Sequence, residues 1–429
     1  MLASLLAAFR IPDLRKRILF VFGMFAVYVV GLHIPIPGID RSVMDTLVKG
    51  SGALGLLDTF TGGAFRRFTI FAMGITPYIN ASIIMQLLTI AVPELERLAK
   101  EGESGRKKIS QYTRYLTGIL AFVQAIGMCV MLHGLKAFSG EVGTSLAMRY
   151  VYIAITLTAG TAFLMWVGEQ ITDQGIGNGV SLVIFCGIMV SLPFQLEKVG
   201  ALYRAHSIGP WNIILLIVAF VATVAGIVAI TQAQRKIPIQ HVKRVVGNKV
   251  YGGQSSFLPL RVNSAGVIPI IFAVSILYFP QTIQQFFPKL PWLGTISSWL
   301  SPGDHVIGAV TYAAMIIFFT YFYTAVTFNV PDVAENLKKW GSFIPGIRPG
   351  KPTEQYLDKV MTRITLAGAI FLSIIALLQY YVPNLTGVDR NAFSLVGGTS
   401  LLIVVGVALE TMQAIEAHLL MRHYEGFIK

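Results

Sequence analysis

Ten runs of mostly apolar residues, each close to the length of a membrane span, restrict the fold of this chain more than any other feature. A bilayer core gives the backbone no hydrogen-bond partner, so a run of about 20 apolar residues crosses it as an α-helix. The runs therefore predict an all-α membrane protein with ten transmembrane helices. Their expected bounds are 18–34, 68–92, 115–137, 150–168, 176–195, 211–232, 265–287, 306–329, 361–382 and 394–415.

Composition excludes the other protein classes. Of the 429 residues, 54% are hydrophobic and only 13% are charged, and the mean hydropathy is +0.67. A soluble domain usually carries about 25% charged residues, and a soluble domain with this composition would expose large hydrophobic patches. Disordered chains have low hydrophobicity and a high content of charged residues, which is the opposite of this composition. The two cysteines, Cys129 and Cys186, lie inside apolar runs, so we expect no disulfide framework and no cysteine metal site, and each cysteine is expected to fill space in the core.

The positive charges predict the orientation of the chain. Most of the 34 Lys and Arg residues lie before segment 1, between segments 2 and 3, 6 and 7, and 8 and 9, or after segment 10. Such segments stay on the cytoplasmic side, so both termini are expected there. The run Arg15-Lys16-Arg17 follows the first apolar residues instead of preceding them, so segment 1 is expected to be an uncleaved span.

The ten segments divide into two halves, 1–195 and 211–429, joined by an external hinge connection at 196–210. Because five is odd, two related halves must be inverted in the membrane, and function then gathers at their interface. Segments 2 and 7 share the pattern G-x-x-P-x-I (GITPYI and GVIPII), and segments 5 and 10 open with GVSLVI and GTSLLI. These patterns place four isoleucines near the middle of the membrane, where they either meet between the two halves or face lipid: Ile79, Ile184, Ile271 and Ile403.

The spans lack the chemistry of an enzyme or an ion-coupled transporter. Their acidic residues, Glu169, Glu410 and Glu416, lie near helix ends, whereas coupled transporters usually bury ionisable groups deep in the bundle. No nucleophile and base stand at a catalytic spacing, so we expect no enzyme activity. A secondary transporter with inverted repeats remains the alternative to a passive or externally driven conduit.

A short apolar stretch before segment 2 is too short to span. It covers about residues 56–66 and contains Leu57, Thr61, Gly62, Gly63 and Ala64. It is either an outer loop or a re-entrant helix, and a re-entrant helix is tolerated at membrane depth only where it lines or blocks a cavity.

Several longer stretches closely resemble the SecY family of channel subunits of the bacterial Sec protein translocon, along essentially the whole chain. They are HIPIPGID (33–40), EGESGR (101–106), ISQYTRY (109–115), GEQIT (168–172), GIGNG (175–179), FIPGIRPG (343–350) and GGTSLL (397–402). The resemblance implies an hourglass pore between the two halves, through which unfolded secretory polypeptides cross the membrane and from which transmembrane segments pass sideways into lipid. It implies no cofactor.

The resemblance also assigns residues. A ring closing the pore is implied at Ile75, Ile79, Val180, Ile184, Ile271 and Ile403, with the 56–66 stretch as a plug. Val180 stands where isoleucine is often found, so we expect it to loosen the seal slightly. A lateral gate is implied between segments 2 and 3 and segments 7 and 8.

Two basic cytoplasmic loops, 233–264 and 330–360, are implied to dock partners. The docking residues implied are Lys243, Arg244, Lys249 and Arg348, of which Arg348 lies in a turn framed by Pro-Gly pairs. The implied partners are the ribosome with its RNA, the ATPase SecA, the subunits SecE and SecG, signal sequences and nascent chains, and membrane lipid. The implied location is the bacterial cytoplasmic membrane.

Overall fold

The computed structural model describes residues 9–50, 55, 58–138, 145–241, 244–246, 249–251, 255–277, 279–280, 283, 291–303, 305–386 and 398–425. Its helices are α1 (Pro12–Gly31), α2 (Arg41–Gly50), α3 (Ala64–Arg67), α4 (Thr76–Ala91), α5 (Pro93–Lys100), α6 (Glu103–Gly134), α7 (Leu146–Gln174), α8 (Gly179–Arg204), α9 (Pro210–Gln232), α10 (Ile268–Leu277), α11 (Pro291–Leu300), α12 (Val306–Thr327), α13 (Val330–Lys339), α14 (Lys351–Thr386) and α15 (Gly398–Glu425). Its strands are β1 (Gln234–His241), β2 (Arg244–Val246), β3 (Lys249–Tyr251), β4 (Ser255–Arg261) and β5 (Ser342–Phe343).

A helix is present in each of the ten predicted segments. Among the described residues, seven helices are long and apolar enough to cross a membrane, and α4 with α5 forms an eighth candidate that is bent by 99°. The two others fall short for visible reasons. The first turns of α1 carry charged residues, and α10 has ten residues that border a part of the chain outside the description.

Several predicted bounds were wrong. Segment 2 becomes helical only at Thr76, and residues 68–75 form turns. The helix ends at Ala91, because the next residue, Val92, precedes Pro93 and a proline disfavours the helical conformation of the residue before it. The connection predicted at 196–210 is shorter than expected, because α8 continues to Arg204 and α9 begins at Pro210.

The glycines of the two repeated patterns occupy matching conformations in the two halves. Gly74 and Gly266 both have positive φ, +57° and +63°, directly before α4 and α10. Gly179 and Gly398 both begin a helix, and a Cβ on either would overlap a backbone carbonyl oxygen of a neighbouring helix, Gly168 or Ile375. The same two requirements for glycine therefore recur at the same places in both halves.

The two halves meet along two helix pairs, α8 against α15 and α4 against α10. The largest cluster of buried apolar residues includes side chains from both halves, and the five predicted isoleucines and Val180 belong to it or pack on it. The hydrophobic core and the interface between the halves are thus the same region.

The predicted loops 233–264 and 330–360 are folded and pack on each other. Strands β4, β1 and β5 form an antiparallel sheet in that order, and β2 pairs with β3 as a separate hairpin. The second loop contains α13, β5 and the first turns of α14, which begins at Lys351 and not at the predicted residue 361. We call the end of the bundle that bears this sheet the sheet end, and the opposite end, near α3, the plug end.

Candidate functional site

A small apolar cavity lies where the two halves meet. Its volume is about 40 Å³, which leaves room for only a few water molecules. Five of the six predicted ring residues line it: Ile75, Ile79, Ile184, Ile271 and Ile403. We call these five residues the isoleucine ring.

Four different helices bring the isoleucine ring together. Ile75 caps the N-terminus of α4 and Ile79 lies one turn further on, while Ile271 lies on α10. Ile184 and Ile403 stand at the same distance from the closely packed glycines that begin α8 and α15. The repeat therefore sets Ile184 and Ile403 at equal depth, because each lies five residues beyond the tightly packed glycine that begins its own helix.

Val180 lies outside the small cavity. It lines a larger cavity on the side of the sheet end, together with Ile79, Ile184 and Ile271, which border both cavities. A Cβ on Gly168 would come within 3.3 Å of Val180 Cγ2, so the valine side chain is packed against α7. The shorter side chain at this position therefore bears on the wider cavity and not on the constriction.

The larger cavity has a volume of about 870 Å³ and a mixed lining. Polar side chains such as Ser82, Gln86 and Ser110 share it with apolar ones. An ion pair bridges α6 and α7 at its wall, with Arg114 Nε 2.6 Å from Glu169 Oε1. A wide cavity of mixed polarity therefore borders a narrow apolar one, which is half of an hourglass profile.

The predicted lateral gate borders the larger cavity. Side chains from α4, α6, α10 and α12 line it, and these are the helices of predicted segments 2, 3, 7 and 8. The helices α4 and α10 are in contact, and the ring of Phe272 on α10 meets that of Tyr323 on α12 edge to face. The geometry thus places a helix seam beside the cavity where the gate was expected.

The stretch predicted to be a plug borders the small cavity. Residues 58–60 are helical, residues 61–63 form a turn, and α3 follows. Thr61, Gly62, Gly63 and Ala64 are buried, and Phe60 and Thr61 line the small cavity beside the isoleucine ring. Leu57 lies outside the described residues.

Two side chains hold the plug against the bundle. The Tyr28 hydroxyl on α1 donates to the Thr61 carbonyl oxygen at 3.2 Å, and the Gln195 amide on α8 donates to Thr59 Oγ1 at 3.3 Å. Gly187 on α8 provides the space for this packing, because a Cβ there would overlap the Phe60 carbonyl oxygen. Sequence reasoning missed Tyr28 and Gly187, which lie in ordinary apolar runs without any local signal.

A third cavity of about 190 Å³ lies on the plug end. Its lining includes Asp58, Arg66, Arg67 and Lys198, and the Arg66 guanidinium stacks 3.6 Å from the centre of the Phe194 ring. Burial raises the pKa of Asp58 above its usual range, although the Arg66 backbone N–H and the three cations oppose the shift. The plug thus separates the isoleucine ring from a charged cavity.

The predicted docking residues lie at the sheet end. Arg348 is exposed and directly follows a turn that the Ile347 N–H and the Ile344 carbonyl close, and its own carbonyl accepts a hydrogen bond from the Thr353 hydroxyl at 2.8 Å. Arg244 and Lys249 belong to the β2–β3 hairpin, whereas Lys243 lies outside the described residues. In the described part of the chain, no three His, Cys, Asp or Glu side chains are grouped to hold a metal ion.

Comparisons with known proteins agree with this geometry. A model of the SecY family matches residues 69–412. The protein translocase subunit SecY of Halalkalibacterium halodurans is 46% identical over 432 residues, which cover 98% of each chain. A solved structure described as showing that the plug domain of SecY stabilises the closed translocation channel and maintains a membrane seal has a TM-score of 0.67, 19% identity, and covers 94% of this chain and 92% of its own. Sec61 in the canine ribosome–channel complex has a TM-score of 0.60 at 18% identity, with the same coverage.

Proposed function

Because the chain belongs to the SecY family, we propose that it is the pore-forming subunit of a protein-conducting channel that moves unfolded secretory polypeptides across the membrane. In this proposal, transmembrane segments of the moving chain leave sideways into lipid between α4 and α6 on one side and α10 and α12 on the other. The secondary-transporter alternative has no support, because the relatives are translocase subunits.

One observation carries the proposal: the narrow cavity between the two halves is lined by five isoleucines and capped by the plug. A seal for polypeptides of any sequence must not hydrogen-bond particular side chains, and branched aliphatic groups meet that condition. An apolar constriction also resists wetting, so it blocks ions while the channel rests. A chain entering from the wide cavity at the sheet end would displace the plug toward the plug end.

Cysteine crosslinking to a stalled precursor tests the path. In a background with both native cysteines replaced by alanine, Ile79→Cys and Ile271→Cys are expected to crosslink to a secretory precursor halted in transit. Val221→Cys is the matched control, because Val221 is an apolar residue exposed on the outside of α9. Absence of a crosslink at both isoleucines, with the precursor shown to be engaged, would remove the assignment of the ring.

We further propose that the sheet end is the cytoplasmic docking face for the ribosome and SecA. The exposed Arg348 and the basic hairpin support this, as does the fold shared with a channel in a ribosome complex. The basic loops would attract ribosomal RNA, and the attraction should weaken with salt.

By the positive-inside rule, both termini then lie in the cytoplasm of a bacterium and the protein spans its inner membrane several times. The subunits SecE and SecG are proposed to complete the channel.

A further inference from the structure

The two basic loops form a single folded body, which we call the loop module. It consists of β1, β4, α13, β5, the turn at 344–350 and the first turns of α14. A separate hydrophobic cluster fills it, with buried residues from both loops: Ile237, Ile239, Leu260, Leu337, Ile344, Leu357, Val360 and Met361. A basic residue in one loop is thus attached through this core to the other loop.

At the outer end of the loop module, few backbone pairs join the first loop to the second. Strand β5 has two residues, and it pairs with β1 only through Gln240 with Phe343 and His241 with Ser342. The His241 side chain reinforces this pairing, since its Nδ1 lies 2.7 Å from Ser342 Oγ. Ser342 is only 2% exposed, so water competes little for the hydroxyl. The other ring nitrogen, Nε2, lies 3.4 Å from Ser256 Oγ on β4.

The chemistry of this contact is tolerant of protonation. A neutral imidazole has one donor and one acceptor nitrogen, and a serine hydroxyl can take either role. Both neutral tautomers therefore satisfy Ser342, and a protonated ring, which donates from both nitrogens, also finds an acceptor there. The contact joins three strands from two loops in every protonation state, so it is a structural clamp and not a pH switch.

The clamp lies between the two basic elements of the proposed docking face. His241 precedes the hairpin that carries Arg244 and Lys249, and Ser342 precedes the turn that carries Arg348. We propose that His241 is a positioning residue: with Ser342 it holds the hairpin and the turn at one separation, so a polyanionic partner meets a preorganised pair of basic elements. Preorganisation raises affinity by removing the ordering cost at binding. This inference rests on the proposed function, in which those residues dock the ribosome.

Removing one hydroxyl tests the clamp. The channel carrying Ser342→Ala, in lipid nanodiscs, is expected to bind purified ribosomes roughly two- to tenfold more weakly at constant ionic strength, the range set by one hydrogen bond. Ser256→Ala is the matched control, because it removes a hydroxyl from the same histidine without affecting the join between the loops. Its binding is expected to match the unaltered chain. Equal affinity in Ser342→Ala and the control would overturn the proposal.

A disulfide supplies the rescue. Gln240 and Phe343 stand opposite each other in an antiparallel pair, a spacing that a disulfide can bridge. Adding Gln240→Cys and Phe343→Cys to Ser342→Ala is expected to restore ribosome affinity under oxidising conditions and to lose it again on reduction. Failure to restore affinity, with the disulfide shown to have formed, would mean that orientation of the loops is not what the serine supplies.

A measurement without any partner separates this inference from the proposed function. Spin labels on Lys249→Cys and Arg348→Cys, with the native cysteines replaced, report the distance between the hairpin and the turn. Ser342→Ala is expected to broaden that distance distribution, and Ser256→Ala is not. An unchanged distribution in Ser342→Ala would refute the clamp. A broadened distribution, together with no ribosome binding by the unlabelled chain that keeps Lys249 and Arg348, would uphold the clamp and refute the docking role.

Discussion

We predict that replacing Gly187 by alanine, which adds a single methyl group, displaces the plug from its position in the resting channel. Gly187 lies inside α8, and a Cβ there would overlap the Phe60 carbonyl oxygen and stand 2.9 Å from the Tyr28 hydroxyl oxygen. The clash is with plug backbone, which cannot swing away as a flexible side chain does. We therefore expect Gly187→Ala to displace the plug and to raise the ion leak of the resting channel.

The size of the effect follows from the contacts that the shift would break. A carbon and a carbonyl oxygen normally approach no closer than about 3.3 Å, so Phe60 must retreat by on the order of 1 Å. Such a shift stretches the bonds from Tyr28 to Thr61 and from Gln195 to Thr59, now 3.2 and 3.3 Å, beyond hydrogen-bonding range. Two such bonds contribute together about 1–3 kcal/mol, which is roughly a 5- to 150-fold change in the ratio of unseated to seated plug.

Anion efflux from proteoliposomes containing the resting channel measures this ratio. Gly200→Ala is the matched control, because Gly200 lies in the same helix and no atom would lie within 4 Å of its Cβ. Both substitutions exchange glycine for alanine in a helix, which by itself favours the helix by up to about 1 kcal/mol. The difference in efflux between the two variants therefore reports the clash with the plug.

Equal efflux from Gly187→Ala and Gly200→Ala, at equal amounts of inserted protein, would refute this reasoning. A second measurement shows which part has moved. Thr61 is 2% exposed, so a cysteine placed there should react slowly with a water-soluble maleimide. Adding Gly187→Ala is expected to speed that reaction, and an unchanged rate would mean that α8 had bent while the plug stayed in place.

Three further outcomes are expected. Ile184→Ala should raise the resting ion leak because it widens the small cavity, whereas Val180→Ala should leave the leak within about twofold of the unaltered channel, since the two methyl groups removed lie in the wider cavity and form no part of the constriction; equal leaks would contradict this placement. The raised pKa of Asp58 means that the seated plug favours the neutral acid. Protonation of Asp58 therefore stabilises the seated plug fully below the ordinary pKa of 3.8, and this stabilisation is lost as the pH rises through the raised pKa. The resting leak should increase with pH, and Asp58→Asn should remove that dependence. Arg348→Glu should weaken ribosome binding and flatten its salt dependence, while Lys359→Glu, the same change of charge at an exposed position on α14, should do so much less; similar loss in both would make Arg348 one charge among many.

Much of the transmembrane architecture could be predicted, because a long apolar run has one solution in a bilayer. Helices lie in all ten predicted segments, and the repeated glycines already indicated related halves. The errors fall where a helix end is set by local backbone chemistry. Hydropathy does not register that residues 68–75 form turns, or that Lys351 begins a helix well before the apolar run at 361.

The site was predictable in part. The repeat indicated four of the five isoleucines that line the small cavity, and the resemblance implied all five together with a plug in the 56–66 stretch. The resemblance implied Val180 as a member of the ring, and only packing shows that its side chain lies against Gly168 and lines the wider cavity. The sequence did not indicate a role for Tyr28, because its hydrogen-bond partner, the Thr61 carbonyl, lies far along the chain and is brought beside it only by the fold.

By itself, the sequence determined that this protein lies in a lipid bilayer, how many apolar segments it has and that its halves are inverted. These properties follow from the length, the hydropathy and the order of the segments along the chain. The tertiary structure alone decided which side chains meet. Contacts such as Gly187 with Phe60, and His241 with Ser342, join residues that no periodicity relates. They depend on how whole elements pack, and packing is settled by the combined shape of many side chains that a linear pattern does not contain.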